Sequence, residues 1–223
     1  MINKKIENQS NDSLFFTRSN LDNSKVDKIV SDALHKADDG ELFMEFCESE
    51  SFVYDDQRLK SASFDTSKGF GLRAIAGESS GYAHSSDIDE NALKKASETV
   101  NFITKDHNAN FNANFSKTNR KLYNEINPIN ETEFSEKVET LKKIDEYARS
   151  KNPNVKQVSA SLNGEWQAVR IYRPGGIMIE DLRPLVRLYV SIVLEKDGRQ
   201  ENGSRGSGGL SLIHISEPTR QIR

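Results

Sequence analysis

A chain of 223 residues is long enough to bury a core without disulfide or metal staples, and 35% hydrophobic with 29% charged residues makes it more polar than most compact globules yet well short of a disordered tail. Its 31 basic and 34 acidic residues are interspersed and leave a net charge of −3, so no broad cationic field exists for a phosphate backbone and nucleic acid is not an expected partner. No stretch approaches the length of a membrane span, and the Asn-rich start from Met1 to Ser13 has no signal-peptide core, so the expectation is a cytoplasmic protein without a membrane partner.

In chain order, Val26, Ile29, Val30, Ala33, Leu34 and Ala37 recur at spacings of three and four and predict an amphipathic helix. Ser24 with Asp27 offers its N-cap, and Gly40 its left-handed terminator. From Glu41 the period drops to two, with Leu42, Met44 and Phe46 on one face; Glu48 to Ser51 reads as a polar turn before a second strand at Phe52 to Tyr54. Leu59 to Phe64 and Phe70 to Ala76 read as strands separated by Asp65 to Lys68, and Gly77 to Gly81 as a turn into Tyr82 and Ala83. Asp87 with Glu90 caps a second helix, whose buried stripe is Leu93, Ala96, Val100 and Ile103.

Between Lys105 and Asn130 the composition turns Asn-rich and periodicity disappears, as in a linker. Asn130 and Glu133 form a potential capping box for a third helix carrying Phe134, Val138, Leu141, Ile144 and Ala148. Val158, Ala160 and Leu162 then alternate up to Asn163-Gly164, a hairpin signal, with Trp166 to Tyr172 returning and Trp166 packing in that hairpin. Val186, Leu188, Val190, Ile192 and Leu194 share one face of a long strand that ends at Asp197-Gly198, and Gly203 to Gly209 is too rich in Gly and Ser to hold a conformation alone. The fold predicted is α+β: an antiparallel meander flanked by helices, followed by a truncated strand-rich second unit. The domains expected are 14–105, an Asn-rich linker at 106–129, and 130–209, with 210–223 set apart.

The runs Val53-Tyr54-Asp55-Asp56-Gln57-Arg58-Leu59-Lys60-Ser61 and Gly69-Phe70-Gly71-Leu72-Arg73-Ala74 resemble the amino-terminal region of TldD/PmbA proteins. Asp181-Leu182-Arg183-Pro184-Leu185-Val186-Arg187-Leu188, Glu195-Lys196-Asp197-Gly198-Arg199 and Gly203 to Gly209 are similar to the TldD branch, and the resemblance covers roughly Leu14 to Gly209. It implies a zinc metallopeptidase acting on unstructured peptides together with a PmbA-type (TldE) paralogue. It also implies a metal held in the later half by a His-Glu-x-x-x-His helix and a further ligand, the motif's Glu activating the zinc-bound water. That motif is not in this sequence, so the chain is expected to be an inactive amino-terminal fragment with no catalytic, cofactor-binding or metal-ligating residue of its own, zinc belonging to the parent. The alternative is a non-enzymatic module that captures a peptide or the paralogue on exposed strands.

The residues that tempt a functional reading are few. His35, His84, His107 and His214 are too widely spaced to grip one ion from a helix face; His35 is expected to cap a helix end, His107 to be solvated, and His84, at the start of the second helix, to make a structural hydrogen bond. Cys47, the only cysteine, excludes an internal disulfide and reads as a packed small hydrophobe rather than a nucleophile. Gly69-Phe70-Gly71 enters a strand, which suits close backbone approach better than a phosphate loop. Arg183 and Arg187 either receive peptide carboxylates or order their strand by pairing with Glu180 and Asp181, and of these the structural pairing is preferred. Leu210 to Arg223 looks like the translation of a sequencing adapter and is set outside the fold, so His214 and Glu217 are not counted as ligands.

Overall fold

A computed structural model describes residues 11–17, 19–105, 107, 123 and 126–211 of the chain. The elements are α1 (Asn11–Phe16), α2 (Asn23–Leu34), β1 (Asp39–Asp55), β2 (Arg58–Ala76), β3 (Ser79–Ser85), α3 (Glu90–Thr104), α4 (Phe134–Lys151), β4 (Val155–Arg173), β5 (Ile177–Lys196) and β6 (Arg199–Gly209). Their strands form one antiparallel sheet in the order β3-β2-β1-β4-β5-β6, so the α+β class and the helix-flanked meander β1-β2-β3 are as expected. Most of the predicted linker lies outside the described residues, as does the predicted tail except for Leu210 and Ser211. No helix among the described residues is long and apolar enough to cross a membrane.

Two compact units interleave along the chain. The first holds the described residues of Met1–Phe46, Ser67–Lys121 and Ala168–Asp181; the second those of Cys47–Thr66, Leu122–Gln167 and Leu182–Arg223. In the first, α2 and α3 pack together and α3 lies against β3. Its core includes Val26, Val30 and Leu34 of α2, Leu42 and Met44 of β1, Leu72 and Ala74 of β2, and Leu93 and Val100 of α3. In the second, Leu141 of α4 closes over Phe52 and Tyr54 of β1, Ala160 and Leu162 of β4 and Val186 of β5, with Val138, Ile144, Leu188 and Val190 at the margin. Apolar burial of this kind contributes about 1.5–3 kcal/mol per large side chain.

The strands are longer than their sequence suggests, and three predicted breaks do not occur. Glu48 to Ser51 is no turn: β1 runs through it, with the buried alternation at Leu42 and Met44 resuming at Glu50, Phe52 and Tyr54. Asp65 to Lys68 likewise lies inside β2. Asn163-Gly164 is not a hairpin, because the alternation Val158, Ala160, Leu162 continues through Gly164 to Trp166 and Ala168, so β4 stays on one course and Trp166 packs within a continuous strand. The actual hairpins are tighter. Asp56 and Gln57 take φ of 46° and 64° between β1 and β2, Asp197 and Gly198 take 54° and 77° between β5 and β6, and Ala76 pairs with Ser79 across Gly77-Glu78. Gly203 to Gly209, expected not to hold a conformation alone, is held as part of edge strand β6 by pairing with Val186 to Ile192 of β5.

The helix ends also differ from those the sequence suggests. The lead-in contains α1, a helix the periodicity did not reveal. The cap of α2 is Asp22, whose carboxylate accepts from the Lys25 amide at 2.8 Å, and the cap of α3 is Asp89, accepting from Ala92 at 2.8 Å; extended backbone at each places the carboxylate in reach, displacing Ser24 and Asp87. Thr104, not Ile103, completes the fully buried stripe of α3. The Asn130–Glu133 box does not form: α4 starts after Glu133 with no side-chain cap, its carbonyl receiving the Glu136 and Lys137 amides.

Gly40 terminates no helix but lies in β1, where a Cβ would stand 2.6 Å from the Arg73 carbonyl oxygen and 2.7 Å from Leu34 Cδ2. Backbone on one side and a buried leucine on the other leave little room to give. Gly40→Ala is therefore expected to destabilise by about 1–3 kcal/mol, as overpacking does. Urea unfolding checks this; an unchanged midpoint would show that the strand can shift at no cost.

Candidate functional site

The most elaborate polar chemistry among the described residues sits in three clusters. In the second unit, Lys137 and Glu50 are both buried, and the Lys137 ammonium donates at 2.7 Å to each Glu50 carboxylate oxygen and at 2.7 Å to the Ile129 carbonyl. Lys137 also lies 5.7 Å from the centre of the Phe52 ring. Three acceptors thus match its three donors. Burial pushes the Glu50 carboxyl above its ordinary value, against the hydrogen bond and charge of Lys137. Gly164 makes room for the pair, since a Cβ there would lie 2.9 Å from Glu50 Oε1.

About two turns further along α4 the fully buried Asp145 accepts from the Gln57 amide at 3.3 Å and from Arg149 Nε at 2.8 Å, while Arg149 Nη2 donates to Asp56 at 2.6 Å. Asp55 accepts from Ser159 and, at 2.9 Å, from Gln157. These bonds hold the β1–β2 turn in its left-handed conformation, which costs on the order of 1 kcal/mol per non-glycine residue. In the first unit, the buried Arg170 donates from Nε to Glu180 at 2.8 Å and from Nη1 to Asn23 at 3.0 Å, pairs with Asp12 at 2.7 Å, and lies 5.2 Å and 5.5 Å from the Phe15 and Phe16 rings. Tyr172 donates to the same Asn23 oxygen at 2.6 Å, and burial raises its phenol above the ordinary value. All three clusters satisfy themselves internally, the pattern of structural networks.

The residues singled out from sequence are dispersed. His35 is at the C-cap of α2 with Nδ1 2.8 Å from the Asp32 carbonyl, the capping place expected for it. His84 belongs to β3 and not to the start of a helix; it is exposed, with its ring stacked on Tyr82 at 5.6 Å. His107 is paired rather than merely solvated, its Nε2 lying 2.9 Å from Asp38 Oδ2. Cys47 is half-buried on β1, its thiol directed at the Glu48 carbonyl at 3.8 Å. Glu180, offered as a partner for the strand arginines, is taken by Arg170, and Arg183 donates to Gln167 at 3.4 Å; Arg187 is exposed opposite Gly208. His214 lies outside the described residues. The buried charges Glu50, Lys137, Asp145 and Arg170 were not anticipated. A signal existed, since Lys137 and Asp145 fall four residues either side of Leu141 on the apolar stripe.

Asp38 ties three segments at once: it accepts from the Gly77 amide at 2.6 Å as well as facing His107. The Gly77 amide first, then the His107 ring, hold its carboxyl below the ordinary 3.8. A depressed folded-state value contributes stability that is present above 3.8 and lost as pH falls through the folded value. Carboxyl NMR titration is expected to give Asp38 a midpoint below 3.8, and Asp38→Asn to flatten the acid limb of the stability profile; a midpoint at or above 3.8 would contradict the geometry.

With this architecture in place, the comparisons fix the class of protein. Residues 40–101 match the family model for PmbA/TldA metallopeptidase domain 1, and residues 127–218 match that for the PmbA/TldA metallopeptidase central domain, extending past Gly209. The chain belongs to the PmbA/TldD family, a family of metallopeptidases. It is 34% identical over 197 residues to a metalloprotease TldD homologue of Haemophilus influenzae, covering 86% of this chain and 41% of that protein. It is 28% identical over 194 residues to a metalloprotease TldD homologue of Buchnera aphidicola subsp. Schizaphis graminum, covering 86% and 40%. The chain therefore spans about two fifths of the length of these relatives.

Solved structures share the fold. A protein described as a candidate modulator of DNA gyrase from Bacteroides thetaiotaomicron superposes with a TM-score of 0.66 at 14% identity, over 85% of this chain and 45% of that one. TldE from Thermococcus kodakarensis superposes with a TM-score of 0.51 at 18% identity, over 77% and 40%. A catalytic zinc requires about three protein donors and an open position. Among the described residues no group of three or more His, Cys, Asp or Glu is placed to hold a metal ion, so the donors described here do not fit one.

Proposed function

We propose that this chain supplies the first and central domains of a TldD-like zinc metallopeptidase that hydrolyses unstructured peptides in the cytoplasm, working with a TldE-type paralogous subunit. What carries the reading is the pair of family matches, domain 1 and then the central domain, on a chain that is 34% identical to a TldD homologue. Zinc, and the His-Glu-x-x-x-His helix that would hold it, belong to sequence other than this, and the chain by itself cleaves nothing. Within it the working division is 14–105, a linker at 106–129 and 130–209, with 210–223 set apart as adapter-like on its sequence although the central-domain match runs on to residue 218. Buried networks such as Glu50–Lys137 and Arg170–Glu180 serve to fix the scaffold.

Reading the gene onward from the Gly209 codon tests this: a His-Glu-x-x-x-His segment in frame supports it, and a genuine stop codon there defeats it. The second reading, a non-enzymatic module that captures a peptide or the paralogue, is favoured by one observation. Among the described residues strand β6 lies at the sheet edge and is exposed along Arg199 to Gly208, with no described strand on its outer side.

A further inference from the structure

The Gly69-Phe70-Gly71-Leu72-Arg73 segment has a use beyond backbone approach. Gly71 faces His84 and Arg73 faces Tyr82 across the β2–β3 ladder, and directly opposed residues share a face of the sheet. A Cβ on Gly71 would stand 2.6 Å from Tyr82 Oη and 2.9 Å from its Cε2, so the phenol ring lies across the bare glycine. The same ring stacks on His84 at 5.6 Å and 28°. Tyr82 is nevertheless 63% exposed. It is an aromatic surface held in one orientation and left open to solvent. Beside it Arg73 is exposed too, and joins none of the ion pairs formed among the described residues of this unit.

We propose that Arg73, Tyr82 and His84 form a binding site for extended acidic peptide segments. The guanidinium takes a carboxylate through its planar fork, and the Tyr82–His84 stack takes the apolar or aromatic side chain next to it. Pre-ordering of the rings by Gly71 lowers the conformational cost of binding. Single-stranded nucleic acid also uses aromatic stacking, but it needs a cationic track along its backbone, and one arginine on a chain of net charge −3 supplies none. The site stands apart from the zinc-peptidase reading, since it requires neither metal nor cleavage.

Amide NMR titration of the 223-residue chain with acetyl-Glu-Phe-Asp-Phe-Glu-amide tests it. Saturable shifts are expected around Arg73, Tyr82 and His84, with affinity falling about fivefold in Arg73→Gln, the scale of an exposed charge pair. Tyr82→Ser is expected to weaken binding as well, and both positions are exposed, so the spectra of the variants should otherwise overlay on the parent. Gly71→Ala, which unseats the Tyr82 ring while leaving Arg73, Tyr82 and His84 in the sequence, should weaken it too. Equal binding of acetyl-Lys-Phe-Lys-Phe-Lys-amide, tighter binding of a thymidine oligonucleotide, no saturable shift at millimolar peptide, or full affinity in Arg73→Gln would each overturn the proposal.

Discussion

Replacing Lys137 by methionine is expected to destabilise the protein by about 3–5 kcal/mol, the scale for removing one partner of a buried ion pair. Among the described residues the ammonium is the one cation paired with Glu50, both side chains are 3–4% exposed, and the 2.7 Å bonds to Glu50 and to the Ile129 carbonyl vanish together. The double variant Glu50→Leu/Lys137→Met is expected to recover most of that loss, because desolvation of the pair offsets much of its attraction. The single variant should also be pH-sensitive. Without Lys137 the already raised Glu50 carboxyl rises further above its ordinary 4.5, so the folded state gains relative stability as pH falls and loses it as pH rises through the folded value. Urea unfolding of the three proteins at neutral and acidic pH reads all of this. A single variant within 1 kcal/mol of the parent, marking no more than the upper end for an exposed pair, would show the pair to be dispensable.

Arg170→Leu is expected to cost about 2–3 kcal/mol and to release α1. The guanidinium is 2% exposed and joins α1 through Asp12, α2 through Asn23 and β5 through Glu180, while lying against Phe15 and Phe16. Its loss removes several charge-assisted hydrogen bonds, yet Glu180 and Asp12 remain 35% and 51% exposed and can rehydrate, which keeps the cost below that at Lys137. Chymotrypsin should then cut at Phe15 or Phe16, which the parent protects, Phe15 being buried. Equal protection in parent and variant would mean that α1 is held by apolar packing alone.

The helices were legible because periodicity and local caps are short-range properties: the stripes of α2, α3 and α4 were recognisable even where Asp22 and Asp89, not Ser24 and Asp87, closed their ends. Breaks in the strands were misread because polar side chains at Glu48 to Ser51 and at Asn163-Gly164 carry turn propensity. That propensity is overruled when a distant helix brings Lys137 to Glu50 and Gly164 yields space for the pair. Long-range pairing of this sort leaves no local signature; Glu50 and Lys137 are 87 residues apart. For the same reason nothing local marks Arg170, its partners Asp12 and Asn23 lying in a lead-in without visible period. Tyr82 and His84 fell in a recognisable strand, but their seat on Gly71 depends on a ladder register that sequence does not display.

The central claim is that this part of a TldD-like peptidase is scaffold, with its zinc chemistry lodged elsewhere in the protein. Zinc analysis of the purified chain after dialysis, together with an assay on an unfolded peptide, tests it most directly. The account predicts far less than one zinc per chain and no cleavage, since His35, His84, His107 and Cys47 sit on separate elements and the described residues hold no three-donor cluster. One tightly held zinc per chain, with cleavage abolished by a chelator, would contradict it and place a working site within these 223 residues.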